Sequence, residues 1–575
     1  MKQKNNEVLD YEMKNRRKVR RSIFQLAILL IVVFLVFQTF VEMNRYDATD
    51  SKEWKNKKGF IALSYPGVSR DGSDSLFAKK QLQQQLQALT DQGFVTISQQ
   101  DVLDFYKKKK PLPEKALFLA FEDGRTDTSV FVNPLLKKYN YKATLLSFAN
   151  KLNEKDKRFL QPSHLKQMQK SGFWELGSNG NRLTYINIFN KAGTFLNIRN
   201  DEEVLSKDEI DSYNHFSMDF IRDQYLIPSE NRVEMERRIT KDYEEMRQTY
   251  QKQLGSTPGV YMIMHANGLY NTANNLVTEV NDKEIRKTFD MHFNQEGDAY
   301  NTKDNELYNL TRVQPVPSWS TNHLLMKIQK DTNQKVEFVK GNEKQARQWK
   351  EVEGAAEFNE NTITLTSKAR KQGKLILTES NDKDIQFTGK VGGDVEGQQS
   401  IFLRRSDNGD GYVKIAFEND QIIIEEKVEG HLNELLDTQS IEIINHAQAT
   451  DSDESTSRNE NEVQQEKLPN EKYIEMKLQD NKLSIWINDK KVINKLAINP
   501  DIQAGKLALG STWITGDFND PIHDAHFSDI TITSLANKDV AQTTLFTNEI
   551  QKPQQVMYTF VGSIKSAMNW VVDNF

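Results

Sequence analysis

The sequence predicts an α/β domain followed by an all-β domain, with one membrane-spanning segment ahead of both. Three observations predict this order. Residues 23–41 carry no charge and are rich in Leu, Ile, Val and Phe. Between 58 and 332, short apolar runs alternate with stretches whose apolar residues recur at helical spacing, the rhythm of a parallel α/β sheet. From 335 to 536 the helical spacing fades and short strands follow one another between turn residues, the texture of a β-sandwich. At 575 residues the chain is too long for one core.

The front segment is nineteen residues long. At about 1.5 Å per residue it nearly spans a hydrocarbon layer of roughly 30 Å. Lys14, Arg16, Arg17, Lys18, Arg20 and Arg21 precede it, and Glu42, Asp47, Asp50 and Glu53 follow, with only Arg45 and Lys52 opposing them up to residue 53. The positive-inside rule then leaves residues 1–22 as a cytoplasmic basic tail and places everything after the 23–41 anchor outside. No small-x-small cleavage site follows the apolar run, which argues for an uncleaved anchor and a single-pass protein of the cell membrane. Residues 42–57 are polar and charged and read as a tether.

Within 58–332, Gly59–Tyr65 reads as a first strand and 77–93 as a helix ending at a glycine. Residues 94–97 make a strand, 102–108 a helix, 116–121 a strand, and a helix runs through 134–139. A strand at 142–148 and a helix at 164–171 follow. Residues 184–230 break the rhythm with Asn, Asp, Ser and aromatics, as an insertion would. Then come a charged helix, 232–254, and a strand, 259–265. In the all-β region, 447–467 is acidic, rich in Ser and almost free of apolar residues, so disorder is expected there. Apolar residues at three- and four-residue steps from Val556 to Phe575 predict an amphipathic helix within 541–575.

Composition excludes several functions. There is no cysteine, hence no disulfide and no thiolate metal site. The net charge is −5 and no basic patch interleaved with aromatics stands out, so no nucleic-acid partner is expected. The chemistry concentrates at Glu122-Asp123-Gly124. There an apolar run of strand type stops at two adjacent carboxylates and a turn glycine. A metal-assisted hydrolase places such groups at the tip of a barrel strand.

With its continuation through Asp127 and Pro134-Leu-Leu-Lys-Lys-Tyr139, this region resembles the polysaccharide deacetylase (NodB homology) family, in particular its poly-N-acetylglucosamine deacetylase branch. The resemblance covers about 58–332 and implies a deacetylase-like (β/α) barrel. It assigns the general-base position to Glu122 and a metal-ligand position to Asp123. The family's two metal-binding histidines follow a Gly-Ser pair; here Gly177-Ser178 is followed by Asn179 and Leu183. Leucine has no donor and asparagine is a poor ligand for borderline ions, so Asp123 is the only matching ligand and no metal cofactor is expected. A later family motif falls on Met264-His265-Ala266-Asn267-Gly268, which sets His265 at the barrel mouth, and a late family arginine corresponds to Arg312. Trp319 is expected at the same mouth as a ring for sugar stacking. Glu122 and Glu175, at the ends of successive strands, raise a glycosidase-like carboxylate pair as a further reading.

The second half resembles concanavalin A-like and laminin-G-like jelly rolls, through 389–412, 482–489, 504–510 and 527–533. There Asp407-Asn-Gly-Asp-Gly411 reads as a hairpin turn rather than a calcium loop, and Trp486 as a core residue.

These features lead to a membrane-anchored extracytoplasmic protein that binds or acts on exopolysaccharide or capsule during synthesis or export, without metal-dependent deacetylation. One alternative is an active carbohydrate esterase that removes N-acetyl groups with a divalent metal such as zinc, held by Asp123 and His265. Another is a non-catalytic interaction protein of a polysaccharide synthase.

Overall fold

The computed structural model describes residues 18–19, 22–26, 29, 45–153, 155–200, 210–263, 267–394, 396–418, 421–440, 471–516, 518–535 and 542–549. The expected anchor at 23–41 lies largely outside the described residues, as do the expected disordered loop and the apolar steps from 556 to 575. Among the described residues no helix is long and apolar enough to cross a membrane.

Among the described residues, seven parallel strands run round the first domain in sequence order: β1 (Gly59–Tyr65), β2 (Ala116–Phe121), β3 (Ala143–Phe148), β4 (Trp174–Gly180), β5 (Val260–Met262), β6 (Met291–Glu296) and β7 (Leu310–Arg312), while the short strand Val95–Thr96 pairs with β2 and Tyr300–Thr302 pairs antiparallel with β1. The sheet closes on itself. Just beyond β7, Val313 donates its N–H to the Ala62 carbonyl at 3.0 Å and accepts from the Ser64 N–H at 2.9 Å. Strands β1, β2 and β3 are buried along their whole length, as expected for strands covered on both faces.

The inner faces pack Phe60, Ala62, Phe118, Ala120, Leu146, Met262 and Phe293 into one core. Six helices surround or plug the barrel: α1 (Lys79–Asp91), α2 (Gln99–Lys108), α3 (Thr126–Tyr139), α4 (Pro162–Ser171), α5 (Arg232–Leu254) and α6 (Asn275–Thr288). Helix α2 is the plug. Its Val102 and Phe105 enter the inner core, with Phe105 edge-on to Phe60 at 6.4 Å, so the N-terminal end of the barrel is stoppered.

The 184–230 insertion contains a three-stranded antiparallel sheet (Thr184–Asn190, Phe195–Asn200, Ile210–His215). Its buried side includes Ile186 and Ile188.

Residues 45–58, which include the described part of the expected 42–57 tether, are docked across the stoppered end. Tyr46 donates its N–H to the Ser171 carbonyl at 3.3 Å and packs edge-on against Phe173 at 5.8 Å. Asp47 and Asn140 exchange hydrogen bonds. Asn56 pairs with Leu112 through both backbone groups, and its side-chain amide donates to the carbonyls of Gly59 and Pro113.

Among the described residues, the second domain is a two-sheet antiparallel β-sandwich, with seven strands in one sheet and, in the other, seven in the main path plus one paired off it, around a hydrophobic core. It continues past 536. Thr543–Thr547 is a strand paired with Asp524–Ser534, and its Phe546 is buried against Trp349. The amphipathic helix expected over 541–575 therefore does not begin at 541. Asp407-Asn-Gly-Asp-Gly411 forms a turn closed by Ser406 and Gly411, with Gly409 at φ +78°. Trp486 lies on the outward face of its strand with the Lys491 ammonium 4.4 Å from its ring, not in the core.

Helix α7 (Thr321–Thr332) joins the domains and is buried from Thr321 through Ile328. Leu324, Leu325 and Ile328 belong to the barrel's outer core, while Met326 packs with Ala355 and Ile522 of the sandwich. His323 crosses the joint. Its Nε2 lies 3.0 Å from Asp520 and its Nδ1 3.2 Å from Asp524.

Candidate functional site

The carboxyl ends of β1, β2, β4, β6 and β7 converge on Glu122. This residue follows the last position of β2, and its N–H donates to the Tyr65 carbonyl at 3.0 Å. Its side chain is an inward position in register with Phe118 and Ala120, and only 2% of the residue is exposed. Ser64 donates its hydroxyl to Oε1 at 2.5 Å. The Arg312 guanidinium, 1% exposed, sets Nε 3.6 Å from the same oxygen and Nη2 3.4 Å from Glu296 Oε2. Arg312 also donates to the Ile263 carbonyl.

Burial raises the pKa of Glu122 to about 7, with the Asp123 charge adding to the rise; Arg312 and the Ser64 hydrogen bond oppose it. The carboxyl therefore carries its proton over part of the range in which an ordinary glutamate is ionised.

Asp123 turns the chain away from the strand with φ +68°, and Gly124 continues at φ +64°. Aspartate tolerates this left-handed region better than most side chains. A Cβ on Gly124 would stand 3.0 Å from the Ser147 Cβ, so the tight turn and the close approach both favour glycine there.

The N–H of Asp123 donates to Asn179 Oδ1 at 3.1 Å, and Asn179 Nδ2 donates to the Met262 carbonyl at 3.1 Å. Asn179 is 3% exposed. Its amide thus ties the end of β2, strand β4 and the end of β5 together. Leu183 is half-buried three residues beyond β4.

The expected residues are distributed as follows. Glu122, Asp123, Asn179 and Arg312 come together. His265 lies outside the described residues. Trp319 is 6% exposed and stacks on His323 with ring centres 4.5 Å apart, beside the joint with the sandwich. Asp127 is exposed in the first turn of α3, where the helix dipole favours a carboxylate.

Glu175 corrects the glycosidase-like pairing. It is the second residue of β4 and accepts from the Gln99 N–H at 2.8 Å, at the start of the plug helix. It therefore faces the stoppered end of the barrel, opposite Glu122. Two site residues were missed in the sequence. Ser64 is the one aliphatic hydroxyl in a strand of otherwise apolar and aromatic residues. Glu296 ends β6, whose mixed composition (Met-His-Phe-Asn-Gln-Glu) hides its strand character.

The residues at the metal-ligand positions do not fit a catalytic divalent ion. Asn179 already uses its carbonyl and its amide on backbone partners, and Leu183 supplies hydrocarbon. Among the described residues no group of three or more His, Cys, Asp or Glu is placed to hold a metal ion. A catalytic zinc site generally takes three protein ligands.

Residues 109–283 match the polysaccharide deacetylase family. A poly-beta-1,6-N-acetyl-D-glucosamine N-deacetylase of Staphylococcus aureus (strain N315) is 24% identical over 237 residues, covering 37% of this chain and 78% of the relative. The enzyme of the same name from Escherichia coli (strain K12) is 31% identical over 88 residues, 15% of this chain and 13% of that relative, so the match spans a small part of its length. The solved de-N-acetylase of Aggregatibacter actinomycetemcomitans superposes on 45% of this chain and 94% of its own, at 19% identity and a TM-score of 0.33. The Glu-Asp-Gly turn, the strand that carries it and the match over 109–283 together establish that this chain carries a polysaccharide deacetylase domain.

Proposed function

We propose that this is a membrane-anchored, extracytoplasmic protein that binds exopolysaccharide through a deacetylase barrel without metal-dependent deacetylation. One observation carries the reading: Asn179, at the first histidine position, is committed by both ends of its amide to backbone groups of neighbouring strands. A side chain used in this way braces the mouth: its oxygen is turned to a backbone N–H, and a neutral amide is a poor ligand for a borderline ion. The anchor rests on the uncharged 23–41 segment and the charge asymmetry around it. The glycan rests on the family and on the substrate printed in the names of the relatives. A jelly-roll sandwich would supply a second carbohydrate-binding face.

The test is acetate release from N-acetylglucosamine oligomers by the full chain, with and without added zinc, cobalt or nickel, alongside calorimetric titration with the same oligomers. Binding without acetate release is expected. Metal-dependent acetate release that disappears in Asp123→Ala would overturn the reading in favour of an active esterase. Absence of glycan binding, combined with co-purification with a membrane synthase, would favour the interaction protein.

A further inference from the structure

The docked segment 45–58 fixes more than the end of the barrel, because it also limits how that end can sit relative to a membrane. Tyr46 is held by the Ser171 carbonyl, by Phe173 and by the Lys142 ammonium 4.6 Å from its ring. All three lie at the N-terminal ends of β3 and β4. From Val41, the end of the uncharged segment, to Tyr46 the chain spans at most roughly 18 Å when fully extended. The stoppered end of the barrel is therefore leashed close to any bilayer that holds residues 23–41. Glu122 and Arg312 lie at the other end of strands six or seven residues long, roughly 20 Å further out.

The same end is basic. Residues 45–58 and 104–115 meet at this end through the Asn56–Leu112 pairing. Together they hold ten lysines and arginines against five carboxylates, a net of +5 in a chain whose overall net charge is −5. Lys52, Lys55, Lys57, Lys58 and the run 107–110 are all exposed. Of that run, Lys108 and Lys110 share Asp104 as an ion-pair partner. Helix α2, which brings the run to the surface, is fixed by its plug residues, so the charges are presented on a rigid base. Basic side chains act on an anionic bilayer within about a Debye length, a range the short leash keeps within reach.

We propose that the N-terminal face of the barrel is a membrane-apposed surface that engages anionic lipid headgroups, so that the Glu122 mouth opens away from the bilayer. The proposal rests on the anchored reading above. Occupancy of this face by anionic lipid follows from the leash and the charge together.

The absence of cysteine makes a direct test simple. The full chain is placed in nanodiscs of phosphatidylcholine, with or without phosphatidylglycerol, carrying an acceptor dye on the lipid headgroups. A donor is attached at Lys107→Cys on the basic face or at Asp74→Cys on the loop after β1, at the mouth end. Expected is strong energy transfer from position 107 and weak transfer from position 74. Phosphatidylglycerol should increase the transfer from 107, and the Lys52→Gln, Lys55→Gln, Lys57→Gln, Lys58→Gln variant should abolish that increase. Equal transfer from both positions overturns the orientation. Transfer from 107 that ignores phosphatidylglycerol and the quadruple variant overturns the lipid assignment and leaves the lysines to a soluble polyanion. A chain that never enters the discs overturns the anchored reading itself, an outcome distinct from the other two.

Discussion

Replacing Glu122 with glutamine should change how stability depends on pH. The folded carboxyl holds its proton to about pH 7, against an ordinary value of 4.5. As pH rises from 4.5 toward 7, the unfolded chain loses its proton first, so the folded state becomes progressively less favoured through that window. At roughly 1.4 kcal/mol per pH unit the loss is about 3 kcal/mol, complete above pH 7. Glutamine mimics the protonated acid: it has the same shape, can accept from the Ser64 hydroxyl and never ionises. At pH 5 the two proteins should agree within about 1 kcal/mol, and at pH 8 the variant should be the more stable by about 3 kcal/mol. Urea unfolding of the full chain in micelles, followed by tryptophan fluorescence at both pH values, measures the difference. Parallel behaviour at pH 5 and pH 8 would refute the argument. It would mean that Arg312, only 3.6 Å away, offsets the cost of burial and keeps Glu122 ionised throughout.

Asn179→Leu should lower stability by about 2–4 kcal/mol, since it leaves the Asp123 N–H and the Met262 carbonyl without their partner in a buried setting; an unchanged urea midpoint would show that the clip is not structural. Asp123→Asn should be tolerated while Asp123→Ala costs about 1 kcal/mol more, because φ +68° suits asparagine and not alanine; equal melting temperatures would contradict this. His323 is held protonated by Asp520 and Asp524 against the cost of burial, which raises its pKa from 6.5 to about 10. Its contribution is therefore full below about pH 6.5 and lost as pH rises through 10. Limited proteolysis between the domains should accelerate in that window for the parent, and His323→Phe should be cleaved faster at pH 7 with little further change.

How much of this was legible from the sequence depended on whether a residue's role was local. Gly59–Tyr65, Ala116–Phe121 and the helix within 77–93 could be read because apolar runs and helical spacing write strands and helices directly into the chain. Glu122 and Asp123 could be read because a strand that stops at paired carboxylates and a glycine is a local signature. Asn179 could be recognised only as the loss of a histidine. Its work as a clip depends on backbone groups 56 and 83 residues away, which no local pattern records. Trp319 and Glu175 show the complementary difficulty: the sequence names an aromatic ring and a carboxylate, but only the folded barrel decides where each one lies. Residues 45–58 looked like a tether because their composition is polar. Docked segments held by backbone pairing and a single aromatic anchor have that same composition.

Barrel closure has a consequence for the order of events during synthesis. Strand β1 finds one neighbour at residues 117–121 and its others at residues 300–302 and Val313, about 240–250 residues later in the chain. Until those partners have been made, one edge of a fully buried strand carries unpaired backbone groups and the inner core lacks a wall. Contacts this distant in sequence slow folding, and an open edge in a growing chain is a template for mispairing. The early segment that reaches the stoppered end, with Tyr46 seated beside Phe173, can dock once α4 and the start of β4 exist. That would hold the unfinished barrel in place while the remaining strands arrive. Premature termination anywhere before residue 313 should therefore give an aggregating product, not a smaller folded one.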